Sequence, residues 1–271
     1  MIEDDGTQSE KPVKQALDFF FSLILVALLT EVLLAIFDPL GLVMYANNER
    51  FMMALVHDAD RGYVLPSGQH HFYGWSATID ANHNRIVPDA RDGLCVVALG
   101  DSVTFGSAVN DAETWPNQFA VLSGAQVHNT AYPGYNTANV LGALRAFPHA
   151  DLYIYLMIYN DAAAAISIDD VVPRGAVPWL WRYATYILPQ GRAHAQQLPS
   201  EPDRFHRDIA KIMHDPRVMV VGFAGDALAQ SVAGVTLIPQ YTSYVSAVDG
   251  HPNGEGHRHI ARAIWEVVQS R

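Results

Sequence analysis

The sequence predicts an α/β fold, a three-layer α/β/α sandwich around a mainly parallel sheet, preceded by one N-terminal transmembrane helix. Three observations predict it. Strand-length segments recur at Leu94–Leu99, Gln126–Asn129, Leu152–Ile158, Val218–Phe223 and, more weakly, Val235–Ile238. Helical patterns alternate with them around Trp115–Leu122, Thr137–Phe147, Asp203–His214 and Gly256–Val268. Ahead of both lies Phe19–Phe37, almost wholly apolar and carrying one charge, Glu31.

Taken in order, residues 1–15 form an N-terminal tail and 16–37 a membrane anchor. With Ala16 and Leu17, the apolar run approaches the roughly 20 residues that a bilayer core requires. A buried helix of a soluble domain would carry a polar stripe. A cleaved signal peptide would have a shorter run and an Ala-x-Ala site. An uncleaved anchor fits better than either. Lys11 and Lys14 precede the span and the next basic residue is Arg50. The positive-inside rule then places the N-terminus in the cytoplasm and the bulk of the chain outside the inner (cytoplasmic) membrane, as a single-pass periplasmic or otherwise extracytoplasmic protein. Glu31 is costly in lipid and calls for a partner helix or a proton.

Residues 38–91 read as a connecting segment with small structure of its own. Asp38-Pro39 stops the membrane helix, Asn48–Val56 suggests a short helix, and Phe72–Ile79 alternates like a strand. Residues 92–271 form the main domain, with an insertion at about 162–202 rich in aromatics and proline. There Pro173, Pro178, Trp179, Trp181, Tyr183, Tyr186 and Pro189 crowd together. The insertion reads as a substrate-facing lid, as a cap on the core, or as a membrane-facing loop.

Composition narrows the function classes. A formal net charge of -11 over 271 residues disfavours a nucleic-acid partner. The single cysteine, Cys95, excludes an intramolecular disulfide and falls in a predicted central strand, where an inert thiol is expected. His251, His257 and His259 cluster in sequence, but positions i and i+2 of a helix do not face each other, and no spacing resembles a zinc site. No metal and no cofactor are expected.

The chemistry-bearing residues follow the strands. Gly100-Asp101-Ser102-Val103 comes directly after Leu94–Leu99, so a serine lands at a strand's carboxyl edge. Asp249-Gly250-His251-Pro252 sets a histidine two residues after a carboxylate, just before the last helix. A serine hydroxyl is a poor nucleophile until a neighbouring base takes its proton. In parallel α/β sheets ligands bind beyond the carboxyl ends of the strands. The order of elements therefore gathers Ser102, Gly134, Asn160 and His251 at one edge. Each has a plain alternative: Ser102 as a helix N-cap, Gly134 as the turn in Pro133-Gly134, Asn160 as a cap after its strand, Asp249 as a turn residue and His251 as a surface-loop residue. Asp101 and Asp161 read as structural.

Four blocks occur in register: Gly100–Gly106 (Gly-Asp-Ser-Val-Thr-Phe-Gly), Asn129–Thr137 (Asn-Thr-Ala-Tyr-Pro-Gly-Tyr-Asn-Thr), Tyr159–Asp161, and Asp-Gly-His-Pro-Asn from Asp249, with Gly256-His257. Together they resemble the SGNH (GDSL-type) hydrolases over about residues 92–267. The resemblance implies an SGNH-hydrolase/flavodoxin-like fold and a serine hydrolase. Ser102 would be nucleophile, His251 base and Asp249 acid, with Ser102, Gly134 and Asn160 as oxyanion hole. The family's usual Gly-x-Asn-Asp is Ile158-Tyr159-Asn160-Asp161 here, and its Asp-x-x-His is shortened to Asp-x-His. In an extended stretch the side chains at i and i+2 share a face, so Asp249 would still reach His251. The expected function is a serine esterase on an O-acyl ester of an envelope carbohydrate or lipid. An O-acyltransferase working through the same acyl-enzyme, or a non-catalytic assembly subunit of the same fold, stands beside it. The expected partners are a small-molecule or glycan ester and, through the N-terminal helix, the membrane.

Overall fold

The computed structural model describes residues 10–43, 46, 51, 54–164, 177–187 and 200–271. The chain divides into two compact units, one within Met1–Val43 and Arg174–Ala195, the other within Met44–Pro173 and Gln196–Arg271.

In the first unit, helix α1 runs over Glu10–Phe37. Its Val13–Phe37 stretch has a mean hydropathy of 2.6 over its most apolar window, with none of that window buried. It is long and apolar enough to cross a membrane or to serve as a signal sequence. Both hydroxyls in the stretch are satisfied within the helix, Ser22 donating to the Asp18 carbonyl and Thr30 to the Val26 carbonyl, each at 2.8 Å. The unit's other helix covers Trp179–Ile187 of the insertion. Pro173 and Pro189 lie outside the described residues.

The second unit is built on five parallel strands: β5 (Cys95–Gly100), β6 (Gln126–Asn129), β7 (Leu152–Met157), β8 (Val218–Phe223) and β9 (Thr236–Ile238). Their spatial order is β6-β5-β7-β8-β9. Alternation along the strands divides the core between the two sheet faces. Val96, Ala98, Ile154, Leu156, Met219 and Val221 pack against Trp115, Phe119, Ile260 and Ile264, from helices Trp115–Ser123 and Gly254–Gln269. Val97, Leu99, Tyr153, Tyr155, Met157 and Val220 pack against Val140, Ala143, Phe205 and Ile209, from helices Thr137–Ala146 and Pro202–Met213. These are the three predicted layers, and the central strands β5, β7 and β8 are covered on both faces, which is why they read as continuous apolar runs, whereas the edge strands β6 and β9 keep exposed residues such as Gln126 and Leu237.

Residues 54–91 supply two antiparallel hairpins, β1 (Val56–Asp58) with β2 (Gly62–Val64), and β3 (Gly68–His71) with β4 (Ser76–Ile79). The expected strand Phe72–Ile79 is shorter than its alternation suggested. Phe72 begins the reversal, its N–H donating to the Trp75 carbonyl at 2.9 Å, and only Ser76–Ile79 is strand. Tyr63, Leu65, Trp75 and Ile79 pack with Phe105, Tyr132 and Tyr135, from the segments that follow β5 and β6. The expected helix at Asn48–Val56 falls mostly outside the described residues.

Candidate active site

Strand order accounts for the convergence. Ser102, Gly134 and Asn160 follow β5, β6 and β7, which are neighbours in the sheet, and the strand order reverses about β5. In a doubly wound sheet this is where ligands bind. Gly100 makes the exit from β5 possible. Its φ is +147°, and a Cβ there would stand 2.4 Å from Thr104 Oγ1 and 2.9 Å from the Leu156 carbonyl oxygen. Only glycine accepts both demands.

Asp101, not Ser102, caps the short helix Ser102–Phe105: its Oδ1 accepts the Val103 N–H at 2.9 Å. The serine hydroxyl is thereby spared the capping role. Ser102 Oγ lies 2.8 Å from His251 Nε2 and 3.2 Å from Asp101 Oδ2. A hydroxyl has one proton, and the shorter contact directs it to the imidazole. On the far side of the ring, His251 Nδ1 is 2.5 Å from Asp249 Oδ1. With Nδ1–H donating to that carboxylate, Nε2 is left as the acceptor.

The Asp-x-His segment meets by a different route from the one expected. It is not an extended stretch with alternating side chains. Asp249 Oδ1 folds back over Gly250 to accept the His251 backbone N–H at 3.0 Å as well as the ring proton. This is an Asx-type turn, which brings i and i+2 together by local hydrogen bonding. Tyr241 steadies it by donating its hydroxyl to the Gly250 carbonyl at 2.8 Å.

Burial alone would lower the His251 pKa. The hydrogen bond to Asp249 and the charges of Asp249 and Asp101 outweigh it and leave the pKa above the ordinary imidazole value. Asp101 is fully buried, and burial raises its pKa despite bonds from Val103, Asn160 and Ser102.

Asn160 Nδ2 donates to Asp101 Oδ2 at 3.2 Å, the same oxygen that Ser102 approaches, which sets the carboxamide beside the Ser102 hydroxyl. The amide carries two protons, and this bond uses one. Ile158, where the family has glycine, turns its side chain into the core at 7% exposure, so the site does not need a glycine there. A tight turn follows, with Asp161 N–H on the Ile158 carbonyl at 3.0 Å and Asp161 Oδ2 accepting the Ile158 N–H at 2.8 Å. Asp161 is thus a buried turn anchor whose pKa is pushed well up, by burial first and by the charge of Asp101. Gly134 sits at φ +79° in the turn closed by Tyr135 N–H on the Tyr132 carbonyl at 3.1 Å. Among the described residues, neither the Ser102 nor the Gly134 N–H has a hydrogen-bond partner.

Arg85 gave no signal in the sequence. Its side chain is wholly buried and clamps the segment behind Ser102, with Nη1 donating to the Phe105 and Gly106 carbonyls at 2.8 and 2.6 Å. Nη2 reaches the Val109 and Ser76 carbonyls at 2.6 and 3.1 Å, and Nε pairs with Asp111 at 2.8 Å. A lone arginine in a connecting segment reads as solvated surface, so only the fold reveals it. His257 is also buried, accepting the Trp115 N–H on Nδ1 at 3.1 Å, and burial lowers its pKa to about 3. No group of three potential metal ligands occurs among the described residues.

Beside Val103 and Tyr159 opens a cleft of about 520 Å³, walled by Ile158, Phe223, Leu228 and Tyr241, with Asp226 and Gln240 as polar lining.

No family model matches the sequence, and no curated protein matches it. Solved structures similar to this one include a member of the lipolytic protein G-D-S-L family from Veillonella parvula, at 12% identity and TM-score 0.39, covering 66% of this chain and all of that one. A carbohydrate acetylesterase family member from Sinorhizobium meliloti matches at 15% identity and TM-score 0.39, over 65% of this chain and 98% of its own. An aryl esterase from M. smegmatis matches at 15% and 0.35, over 66% and 99%. At these identities and scores the likeness carries no weight for chemistry, and the reading of this chain rests on its own residues.

Proposed function

We propose that the chain is a membrane-anchored serine esterase that cleaves an O-acyl ester through an acyl-enzyme on Ser102. The observation that carries this is the unbroken line Ser102 Oγ–His251 Nε2–Asp249, at 2.8 and 2.5 Å. In it a base is placed on the hydroxyl and a carboxylate on the base. Ser102 Oγ attacks the ester carbonyl carbon while His251 Nε2 takes its proton. The carbonyl oxygen becomes an oxyanion, for which the N–H groups of Ser102 and Gly134 and the second Asn160 amide proton are the available donors. Collapse returns the proton from His251 to the departing alkoxide, leaving Ser102 acylated and the alcohol free. Water then repeats the sequence, giving the carboxylic acid and restoring Ser102.

The apolar wall of the cleft suits an acyl or aglycone group, and Asp226 with Gln240 suits substrate hydroxyls. These features, with α1 as an anchor, favour an envelope carbohydrate or lipid ester as substrate. An active-site phosphonate should label Ser102 alone, located by mass spectrometry of the adduct. Equal labelling of Ser102→Ala sinks the proposal. Running turnover with and without an oligosaccharide acceptor separates hydrolysis from acyl transfer.

A further inference from the structure

Glu31, the one charge in the apolar stretch of α1, has its partners in the insertion. Its Oε1 accepts the Trp179 N–H at 2.6 Å and its Oε2 the Leu180 N–H at 2.8 Å. These are first-turn donors of helix α5 (Trp179–Ile187), which no intrahelical carbonyl can satisfy. One turn on, the Tyr183 hydroxyl donates to Asp38 Oδ1 at 2.6 Å, just past the end of α1. Glu31 and Asp38 are about 10 Å apart along the α1 axis. Helix α5 therefore runs beside the last two turns of α1, pointing the same way, at the same depth as that stretch.

The polarity of α5 is inverted relative to a helix at a water surface. Its polar contacts face α1. Its outward side carries Leu180, Ala184 and Ile187 at i, i+4 and i+7, with Trp181 beside them. Leu180 is 41% exposed, Trp181 65% and Ile187 66%. Thr185 is satisfied internally, its hydroxyl donating to the Trp181 carbonyl at 2.9 Å. The Arg182 guanidinium lies over the Trp179 ring, 5.2 Å from its centroid. Tryptophan, tyrosine and an arginine that can reach headgroups are the residues favoured at a bilayer boundary.

We infer that α5 is a second membrane-seated element. It lies in the leaflet entered by the C-terminal turns of α1, with Leu180, Trp181 and Ile187 against lipid and its N-terminus clasped by Glu31. The inference rests on reading α1 as a membrane span. Lipid is favoured as the occupant because the outward face of α5 continues the exposed apolar surface of α1 at matching depth. It also explains Glu31: a carboxylate costly in hydrocarbon meets two backbone donors that would be equally costly there.

Site-directed spin labelling of the full chain tests this in phosphatidylethanolamine–phosphatidylglycerol vesicles. In a Cys95→Ala background, single cysteines replace Trp181, Leu28 on α1 and Arg258 on the last helix. Collision with oxygen is compared with collision with a water-soluble nickel chelate. The expected result is that the labels at 181 and 28 are both oxygen-accessible and shielded from nickel, whereas the label at 258 is nickel-accessible. Nickel access at 181 with shielding at 28 overturns the placement of α5 and spares the span. Nickel access at both overturns the span and this inference with it. Spin–spin broadening at 181 shows a second copy on this face and overturns lipid as its occupant. Introducing Glu31→Leu should sharpen the label spectrum at 181 as the helix is released. An unchanged spectrum overturns the clasp.

Discussion

In the proposed mechanism three side chains divide the chemistry, and each can be tested by removing one property. Asp249 keeps the ring proton of His251 on Nδ1 and favours the imidazolium that forms during attack. Asp249→Asn should lower kcat on the order of 10⁴-fold, because the amide can hold the wrong tautomer. His251 must be neutral to accept the Ser102 proton, and its pKa is raised. The acid limb of kcat/KM should therefore lie above the ordinary imidazole value near 6.5, with activity rising as pH rises through it. Asp249→Asn removes the hydrogen bond and charge that raise this pKa and leaves the burial that lowers it. The residual activity should then show its limb at lower pH, measured as a pH profile of kcat/KM. Asn160→Ala should cost on the order of 10²–10³ in kcat with little change in KM, the mark of a donor that acts on the transition state. Wild-type kcat in that variant would remove Asn160 from the oxyanion hole. These residues were legible because the blocks that resemble the SGNH hydrolases mark them, after a strand or just ahead of the last helix. The Asx-type turn that lets Asp249 reach across one residue was not, since local side-chain-to-backbone bonding leaves no periodic trace.

At the scale of elements, the short helix carrying Ser102 is too small to hold itself in place. Its C-terminal carbonyls are gripped from outside, by Arg85 and by Asn129 Nδ2, which donates to the Thr104 carbonyl at 3.0 Å. Arg85 spans the β3–β4 hairpin, Asp111 and the helix carrying Ser102 at once. Arg85→Met should take one donor from Asp111, which keeps the Thr78 N–H, and from four carbonyls, of which Phe105 keeps the Asn129 amide and Gly106 the Val109 N–H, a loss of about 3 kcal/mol. For a unit of this size that lowers Tm by roughly 10 °C. Thermal unfolding of the detergent-solubilised full chain, followed by near-ultraviolet circular dichroism, measures it. A change of a degree or two would mean that the hairpin is not a structural brace. In the sequence, residues 38–91 read as a connecting segment because their strands are short and their packing partners lie as far as 70 residues away and beyond, as Tyr63 shows by donating its hydroxyl to the Pro133 carbonyl at 2.8 Å and Arg61 by accepting the Asn139 amide on its carbonyl across 78 residues.

At the scale of the molecule, the two described ends of the insertion meet. The insertion leaves just after Asn160 and returns at Ser200, which bridges Ala163. Its Trp179–Ile187 helix belongs to the same compact unit as α1. The lid, cap and membrane-facing readings of the insertion differ in what touches this helix, and within its own unit that is α1. With Lys11 and Lys14 ahead of the span, the bulk of the chain should lie outside the cytoplasm. Reporter fusions after Arg271 check this: a periplasm-active enzyme should report and a cytoplasm-active one should stay silent. The reverse result would invert the topology and remove an envelope ester from the candidate substrates.

The sequence alone determined the layered parallel fold, the apolar helix and which residues stand at the carboxyl ends of strands. These follow from periodicity and chain order, which are local properties. Tertiary structure decided the rest. It made Asp101 the cap and so spared the Ser102 hydroxyl, and it turned Ile158, which stands where the SGNH pattern usually has glycine, into the core. It closed Asp249 onto His251 by a turn, buried Arg85 as a clamp and gave Glu31 its partners 148 residues away. Each of these depends on desolvation and on contacts between residues distant in sequence, which no local pattern records.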